Sequence, residues 1–226
     1  MSKNRNSLSQ LAYDHILELI MTKQLCPGDR IAEVRIAEEF GISRTPVRTA
    51  LRHLANQGLV DIAANRFATV ATYSPDTVRD IGMLRISLDS IAFKLALLYG
   101  NHADFLHLYE IAEKCRTAME QNDQWSRRTE DCNFHLELAK ISHNKLLVKY
   151  HTELYLRMQF ILLYHTDAVV NTQRHVEQHF EIVSALMNHD EALGLEILTD
   201  HLSSFYLLDQ YFPRNFLYNL PSDLKL

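Results

Sequence analysis

The stretch that decides the fold is IAEEFGISRTPVRTAL, residues 36–51, which has the pattern of two short helices joined by a tight turn. Ile36 is expected to lie on the inward face of the first helix, and Gly41 permits the turn. Val47 and Leu51 are expected to lie on the buried face of the second helix. A helix-turn-helix is built in this way because its second helix needs one buried face and one exposed face.

The exposed face of that second helix carries the residues expected to meet DNA. Ser43, Arg44, Thr45 and Arg48 stand at or near its N-terminal end, which is the part that reaches base edges in such motifs. Arg44 and Arg48 can each donate two hydrogen bonds to O6 and N7 of guanine. Ser43, Thr45 and the helix N-terminus can hold phosphate. The sequence therefore predicts a double-stranded DNA reader.

The flanking sequence predicts a small domain around this motif. An amphipathic pattern begins at Ser7, where Ser7 and Gln10 can form a capping box. Two short strands are predicted to form a hairpin joined at Asn65-Arg66. The predicted elements are helices at 7–23, 33–40 and 43–56 and strands at 59–63 and 67–73.

A second regime starts at Ser74-Pro75, a good N-cap followed by a good first helical residue. From there the pattern is helical almost throughout, and its breaks predict about six helices. We therefore predict a mainly α protein with two domains, residues 1–73 and 74–226, the second an all-α antiparallel bundle. The aromatic tail, residues 213–226, has two prolines and could not be placed.

Composition and charge limit the class of protein. Hydrophobic residues make up 47% and charged residues 23%, which is ordinary for a globular protein. Residues 1–72 carry nine Lys and Arg against seven Asp and Glu, a net +2, whereas residues 73–226 carry fourteen against twenty-one, a net −7. A basic N-terminal segment suits a protein that offers one end to phosphates.

No stretch approaches the roughly 20 apolar residues of a membrane span, and the first ten residues lack the apolar core of a signal peptide. The three cysteines are an odd number without CxxC spacing, which fits a reducing compartment. We therefore expect a cytoplasmic protein with no membrane partner.

The helical half contains a candidate metal site. Asp131 and His135, in DCNFHLELAKISHN, are four residues apart and share one helix face. His179 and His201 lie on two further predicted helices, and His175 competes because it also pairs with His179. A carboxylate and imidazoles facing an apolar interior need compensation, which a divalent ion provides. An Asp–His hydrogen bond without metal is the alternative.

Residues 8–72 resemble the winged-helix domain of the GntR family of bacterial regulators. The resemblance rests on PGDRIAEVRIAEEFGISRTPVRTALRHLANQGLV and above all on SRTPVR. It implies that Arg44 and Arg48 are the main base readers, and Arg66 is a candidate wing contact. Two positions depart from the family pattern. Val34 replaces an arginine that reaches DNA in some members, and Phe67 stands where the wing usually has glycine.

Residues 76–210 resemble the FCD effector domain of the FadR subfamily of these regulators. DCNFHLELAKISHN matches its Asp-x-x-x-His helix, and HFEIVSALMNHDEALGLEILTDHL matches its paired histidine helices. Six helices resemble the metal-using VanR-like branch. The resemblance implies Asp131, His135, His179 and His201 as ligands of zinc, nickel or manganese, and it leaves His175 surplus.

The same resemblance implies an effector site beside the ion. Arg85, in MLRISLD, matches an arginine that faces the pocket, and Arg157 is a second candidate. A small organic acid is the implied effector, and it would bind at the ion.

The predicted function is that of a homodimeric transcriptional regulator controlled by its effector, a repressor rather than an enzyme. Release of operator DNA by the effector is the commoner mode in the family, and a repressor that binds DNA only with its effector is the alternative. In one alternative the ion itself is the signal. A metal-dependent hydrolase fused to a DNA-binding domain is disfavoured because the sequence shows no clear second carboxylate as general base.

Overall fold

The computed structural model describes residues 2–63, 67–164, 172–206 and Leu208. The chain divides into two compact units, Met1–Tyr73 and Ser74–Leu226. The elements of the first unit are α1 (Ser2–Met21), β1 (Arg30–Ile31), α2 (Glu33–Glu39), α3 (Arg44–Asn56), β2 (Val60–Ile62) and β3 (Ala68–Val70).

The helix-turn-helix has the geometry that the sequence predicts. Gly41, at the turn between α2 and α3, has φ of +60°, a region that favours glycine. The amide of Ile42 then donates to the carbonyl of Ala37 at 2.9 Å and closes the turn. Val47 and Leu51 turn inward with exposed fractions of 0% and 1%, so α3 has one buried face. The predicted fold of this unit is confirmed.

The two predicted strands pair antiparallel as β2 and β3, and the sheet has a third strand that was not predicted. It has three antiparallel strands in the order β1-β3-β2, with Ile31 of β1 opposite Ala68 of β3. The sequence analysis missed β1 because a two-residue strand is too short to show an alternating pattern. β2 and β3 are also shorter than predicted.

The first helix begins earlier than predicted. Because α1 starts at Ser2, Ser7 lies inside the helix and the predicted capping box is wrong. Gln10 instead donates to Asp14, one turn further along the helix, at 2.8 Å. The run before Ser7 is polar, so no apolar periodicity marked it as helical.

The second unit is helical, as predicted, and six helices lie in the part of it that the structure describes. None of the described helices combines the length and the apolar composition needed to cross a membrane. The helices are α4 (Pro75–Tyr99), α5 (His102–Glu120), α6 (Gln124–Ile141), α7 (Lys145–Tyr164), α8 (Thr172–Met187) and α9 (Glu191–Tyr206).

Side-chain caps fix where several of these helices begin. Ser74 Oγ accepts from the amide of Thr77 at 3.2 Å, as the Ser-Pro signal predicts. Asn101 and Asp104 form a full capping box at α5. Asp123 accepts from the amide of Ser126 at the start of α6. These caps satisfy amides that the first turn leaves without partners.

A close approach holds α9 against α4. A Cβ on Gly194 of α9 would lie 2.0 Å from the ring of Phe93 on α4, so only glycine fits there. This contact brings the helix that carries His201 against the helix that carries Arg85.

Candidate metal centre and nucleic-acid interface

Four buried side chains meet inside the second unit, one carboxylate and three imidazoles. They come from α6, α8 and α9, and each offers one ligand atom within 4.8 Å of the other three. Their exposed fractions do not exceed 1%. The structure thus brings together all four residues that were predicted as ligands: Asp131, His135, His179 and His201.

The helix faces explain why these side chains point inward. Asp131 and His135 share a face of α6 because they are four residues apart, and Leu138 continues that face and is fully buried. Ile182 lies three residues after His179 on α8. Leu198 lies three residues before His201 on α9. Both are fully buried as well. The apolar periodicity of each helix therefore carries its ligand into the core.

The distances within the cluster suit a bound ion. His135 Nε2 lies 3.1 Å from His201 Nε2, and His179 Nε2 lies 3.4 Å from Asp131 Oδ1. Ligands held about 2.0–2.2 Å from one ion are separated by about 3–3.5 Å. Asp131 Oδ2 is buried and has no hydrogen-bond partner among the described residues. These four residues can therefore hold a divalent ion.

The protonation states favour metal binding. Burial lowers the pKa of His179 to about 4 and holds that of His201 well below its ordinary value. For Asp131, burial opposes ionisation, but the hydrogen bond with His175 and the close contact with His179 outweigh it and hold the pKa well below the usual range. At neutral pH the site therefore offers neutral imidazoles at His179 and His201 and a carboxylate at Asp131, the forms that ligate metals.

Asp89 of α4 is a neighbour that the sequence analysis missed. Its Oδ1 accepts from His135 Nδ1 at 3.0 Å, and its Oδ2 lies 3.3 Å from Arg85 Nε. Because an ionised carboxylate only accepts, Nδ1 of His135 carries the proton of this hydrogen bond, and Nε2 is the nitrogen that faces the cluster. The available signal was the i, i+4 spacing of Arg85 and Asp89 within an apolar helix.

Asp89 also bears on the hydrolase alternative, since it is a second carboxylate close to the cluster. Burial raises its pKa, but its interactions with His135, His151 and Arg85 outweigh burial and hold the pKa at about 2. A carboxylate with so low a pKa is a weak general base at neutral pH.

His175, surplus by resemblance, lies against the cluster rather than away from it. Its Nε2 is 2.9 Å from Asp131 Oδ1, and its ring stacks on His201 with centroids 3.8 Å apart. His175 is outside the set of four converging ligand atoms. It therefore orients the carboxylate from the second turn of α8, a position that helical spacing alone could not distinguish from a ligand.

Arg85 is a buried positive charge in the same region. It is 2% exposed and donates from Nη1 to the Tyr206 hydroxyl at 3.0 Å, while Nη2 has no hydrogen-bond partner among the described residues. His151 lies close by, with Nε2 4.0 Å from Asp89 Oδ1. Arg157, the other predicted effector residue, lies on α7 and is partly exposed.

The residues predicted to contact DNA are exposed at the start of α3. Ser43 occupies the N-cap position, but its side chain makes no capping hydrogen bond. Ser43, Thr45 and the two arginines are exposed. Arg44 Nη2 and Arg48 Nε both contact Glu33 Oε2, at 3.3 and 2.9 Å.

The wing is described only in part. Arg66, the predicted wing contact, lies outside the described residues. Phe67 is 38% exposed, and the guanidinium of Arg30 lies 4.7 Å above its ring. A cleft of about 330 Å³ separates the wing from α3, with Arg48 and Phe67 among its lining residues. The large side chain that replaces the usual glycine is therefore packed against β1.

Two family models match the chain, one to each unit. Residues 8–70 match the model of bacterial regulatory proteins, gntR family, and residues 80–204 match the FCD domain. The chain is 28% identical over 169 residues to the HTH-type transcriptional regulator McbR of Escherichia coli, which covers 74% of this chain and 76% of that protein.

Two further relatives are named for opposite effects on transcription. The Glc operon transcriptional activator of Escherichia coli is 28% identical over 66% of each chain. A probable D-xylose utilization operon transcriptional repressor of Paenarthrobacter nicotinovorans is 26% identical over 89% of this chain and 88% of that protein.

Solved structures share the fold. Escherichia coli McbR/YncC superposes with a TM-score of 0.73 at 24% identity, covering 91% of this chain and 99% of that one. A GntR regulator from Rhodococcus sp. RHA1 superposes with a TM-score of 0.76 at 17% identity, covering 92% and 100%.

Proposed function

The chain belongs to the GntR family of bacterial transcriptional regulators with an FCD domain, and we propose that a small carboxylate effector, bound at a metal-containing pocket, controls its affinity for operator DNA. The metal ligands in this proposal are Asp131, His135, His179 and His201. Zinc, nickel and manganese all suit three imidazoles and one carboxylate.

One observation carries the effector proposal. Asp131 Oδ2, a hydrogen-bond acceptor, and Arg85 Nη2, a donor, are both buried. Neither atom has a hydrogen-bond partner among the described residues. Leaving such groups without a partner in an apolar interior is costly. A cation supplies the partner of the first atom, and an anionic group on a ligand supplies the partner of the second. Arg157 is the further candidate for contact with the effector.

The effector then acts by differential affinity. If it binds one arrangement of the protein more tightly than another, it shifts the population that can bind DNA. We propose repression relieved by the effector. Since one relative is named as an activator and another as a repressor, the sign of the effect on transcription must be measured.

The homodimer in this proposal is supported by an apolar seam on α4. Its residues follow the 4-3 spacing of a coiled-coil seam. Among them, Leu84 is 50% exposed, Ile91 is 48% exposed and Leu98 is 72% exposed. This α4 seam consists of Leu84, Leu88, Ile91, Leu95 and Leu98. A second copy of the chain would bury it and place two copies of α3 for two half-sites of an operator.

Metal analysis followed by a thermal-shift screen tests the proposal. The purified protein should contain a divalent ion near one per chain, and His179→Ala should lose it while the exposed control His107→Ala keeps it. Sugar acids, keto acids and dicarboxylates are then screened with and without chelator, and at least one should raise the melting temperature only when metal is bound.

Two results would contradict it in different ways. Stabilisation by none of the acids, together with DNA binding that follows metal concentration, would make the ion itself the signal. A metal-free protein that still responds to an acid would remove the metal from the effector site.

A further inference from the structure

Glu33, the first residue of α2, joins the two predicted base-reading arginines. Its Oε2 accepts from Arg48 Nε at 2.9 Å and lies 3.3 Å from Arg44 Nη2. The Glu33 side chain is only 19% exposed, whereas those of Arg44 and Arg48 are 55% and 56% exposed. One carboxylate oxygen therefore ties two exposed guanidinium groups to the body of the helix pair.

The contact leaves the outer nitrogens of Arg48 available for bases, and it uses one outer nitrogen of Arg44, Nη2, at the longer distance of 3.3 Å. Glu33 engages Arg48 through Nε alone, at the inner edge of the guanidinium. A bidentate contact to guanine can use the two outer nitrogens. Glu33 thus restricts the direction of the Arg48 guanidinium without occupying its outer edge.

The same carboxylate weakens the attraction of this helix end for phosphate. Sequence-independent DNA binding comes from cations that neutralise phosphates, and its salt dependence counts them. Exposed ion pairs contribute little free energy, so DNA can rearrange them. A carboxylate between two arginines nevertheless reduces their charge toward any passing backbone, whatever its sequence.

We propose that Glu33 is a specificity-determining residue of the DNA-binding unit, which suppresses sequence-independent binding by Arg44 and Arg48 and holds them for base reading. The proposal rests on the proposed role of these two arginines as base readers. It predicts that removing the carboxylate strengthens binding to arbitrary DNA while weakening discrimination between sequences.

The test compares full-length wild type with Glu33→Gln and with the matched control Glu38→Gln. Glu38 is an exposed residue of the same helix, so its substitution removes the same charge elsewhere. One probe is a pool of random-sequence duplexes of about 30 base pairs, titrated over a range of salt concentrations. The other is the duplex that wild type enriches from that pool by repeated selection.

For Glu33→Gln we expect several-fold tighter binding to the unselected pool and a salt slope steeper by about one released ion. Its preference for the selected duplex should fall about tenfold, the scale of one lost base contact. Glu38→Gln should keep the wild-type slope and preference. The charge-retaining Glu33→Asp should keep the wild-type slope but lose preference, because the shorter side chain no longer reaches both arginines.

Equal behaviour of Glu33→Gln and Glu38→Gln would overturn the proposal, since the carboxylate would then act through net charge alone. An unchanged preference of Glu33→Gln for the selected duplex would also overturn the proposal. Arg44→Ala separates this failure from failure of the base-reading role: if that variant enriches the same sequence as wild type, Arg44 does not read bases. Melting curves of every variant establish that each is folded.

Discussion

Single polar residues set the chemistry of the buried cluster. Asp89 fixes which nitrogen of His135 carries a proton, and His175 turns one oxygen of Asp131 toward α8. Neither residue belongs to the four converging ligands, yet both determine how those ligands are presented. Burial then keeps the imidazoles of His179 and His201 neutral.

At this scale we predict that Asp89→Asn lowers metal affinity about 10- to 100-fold, because the amide replaces a charged acceptor of His135 Nδ1–H. Competition between the protein and a chelator for Zn²⁺ measures the change. The control is Asp80→Asn, which removes an exposed carboxylate from the same helix and should leave the affinity unchanged. Equal affinity of the Asp89 variant and wild type would show that Asp89 does not support the site.

At the scale of elements, helices with apolar periodicity or a cap were predictable, whereas a two-residue strand and a polar helix start were not. Ser74-Pro75 marked the start of α4 because a cap and a proline act locally. β1, only two residues long, exists because Ile31 pairs with Ala68 across the sheet, and nothing local announces that pairing. The 4-3 spacing of the α4 seam is visible in the sequence, but its exposure depends on how the helices pack.

The α4 seam supports a second prediction. Ile91→Glu places a charge at the centre of the seam, so we expect the proposed dimer to dissociate to monomers with little loss of helix content. Light scattering coupled to size-exclusion chromatography measures the mass. Leu146→Glu, at a 64% exposed apolar position on α7, is the control and should remain dimeric. If Ile91→Glu stays dimeric while Leu146→Glu does not, the interface lies elsewhere.

At the scale of the whole molecule, the buried histidines couple stability to pH. The pKa of His179 is about 4 in the folded protein, below its ordinary value of 6.5, so the unfolded chain takes up a proton first. The free energy of unfolding of the metal-free protein should therefore fall as pH drops from about 6.5 toward 4. For this residue the loss is about 2 kcal/mol at pH 5, and His201 acts in the same direction.

Urea denaturation in the presence of chelator, at pH 7.5 and pH 5, measures this loss. The single tryptophan, Trp125, lies on α6 and reports unfolding of the second unit. His179→Gln should remove much of the pH dependence, while His107→Gln, at an exposed position, should not. Equal stability of the wild type at both pH values would contradict the buried neutral state of His179.

The sequence by itself determined the helix-turn-helix and the helical second unit, because these follow from helical periodicity, caps and motif spacing. It also brought out Asp131, His135, His179 and His201, but the resemblance to the FCD domain, rather than spacing, set His175 apart from them. Only the tertiary structure decided that Asp89 supports His135, that His175 touches Asp131 and that Glu33 ties Arg44 to Arg48. These contacts join residues 11 to 46 positions apart in the chain on different helices, and their register depends on how side chains pack rather than on any local pattern.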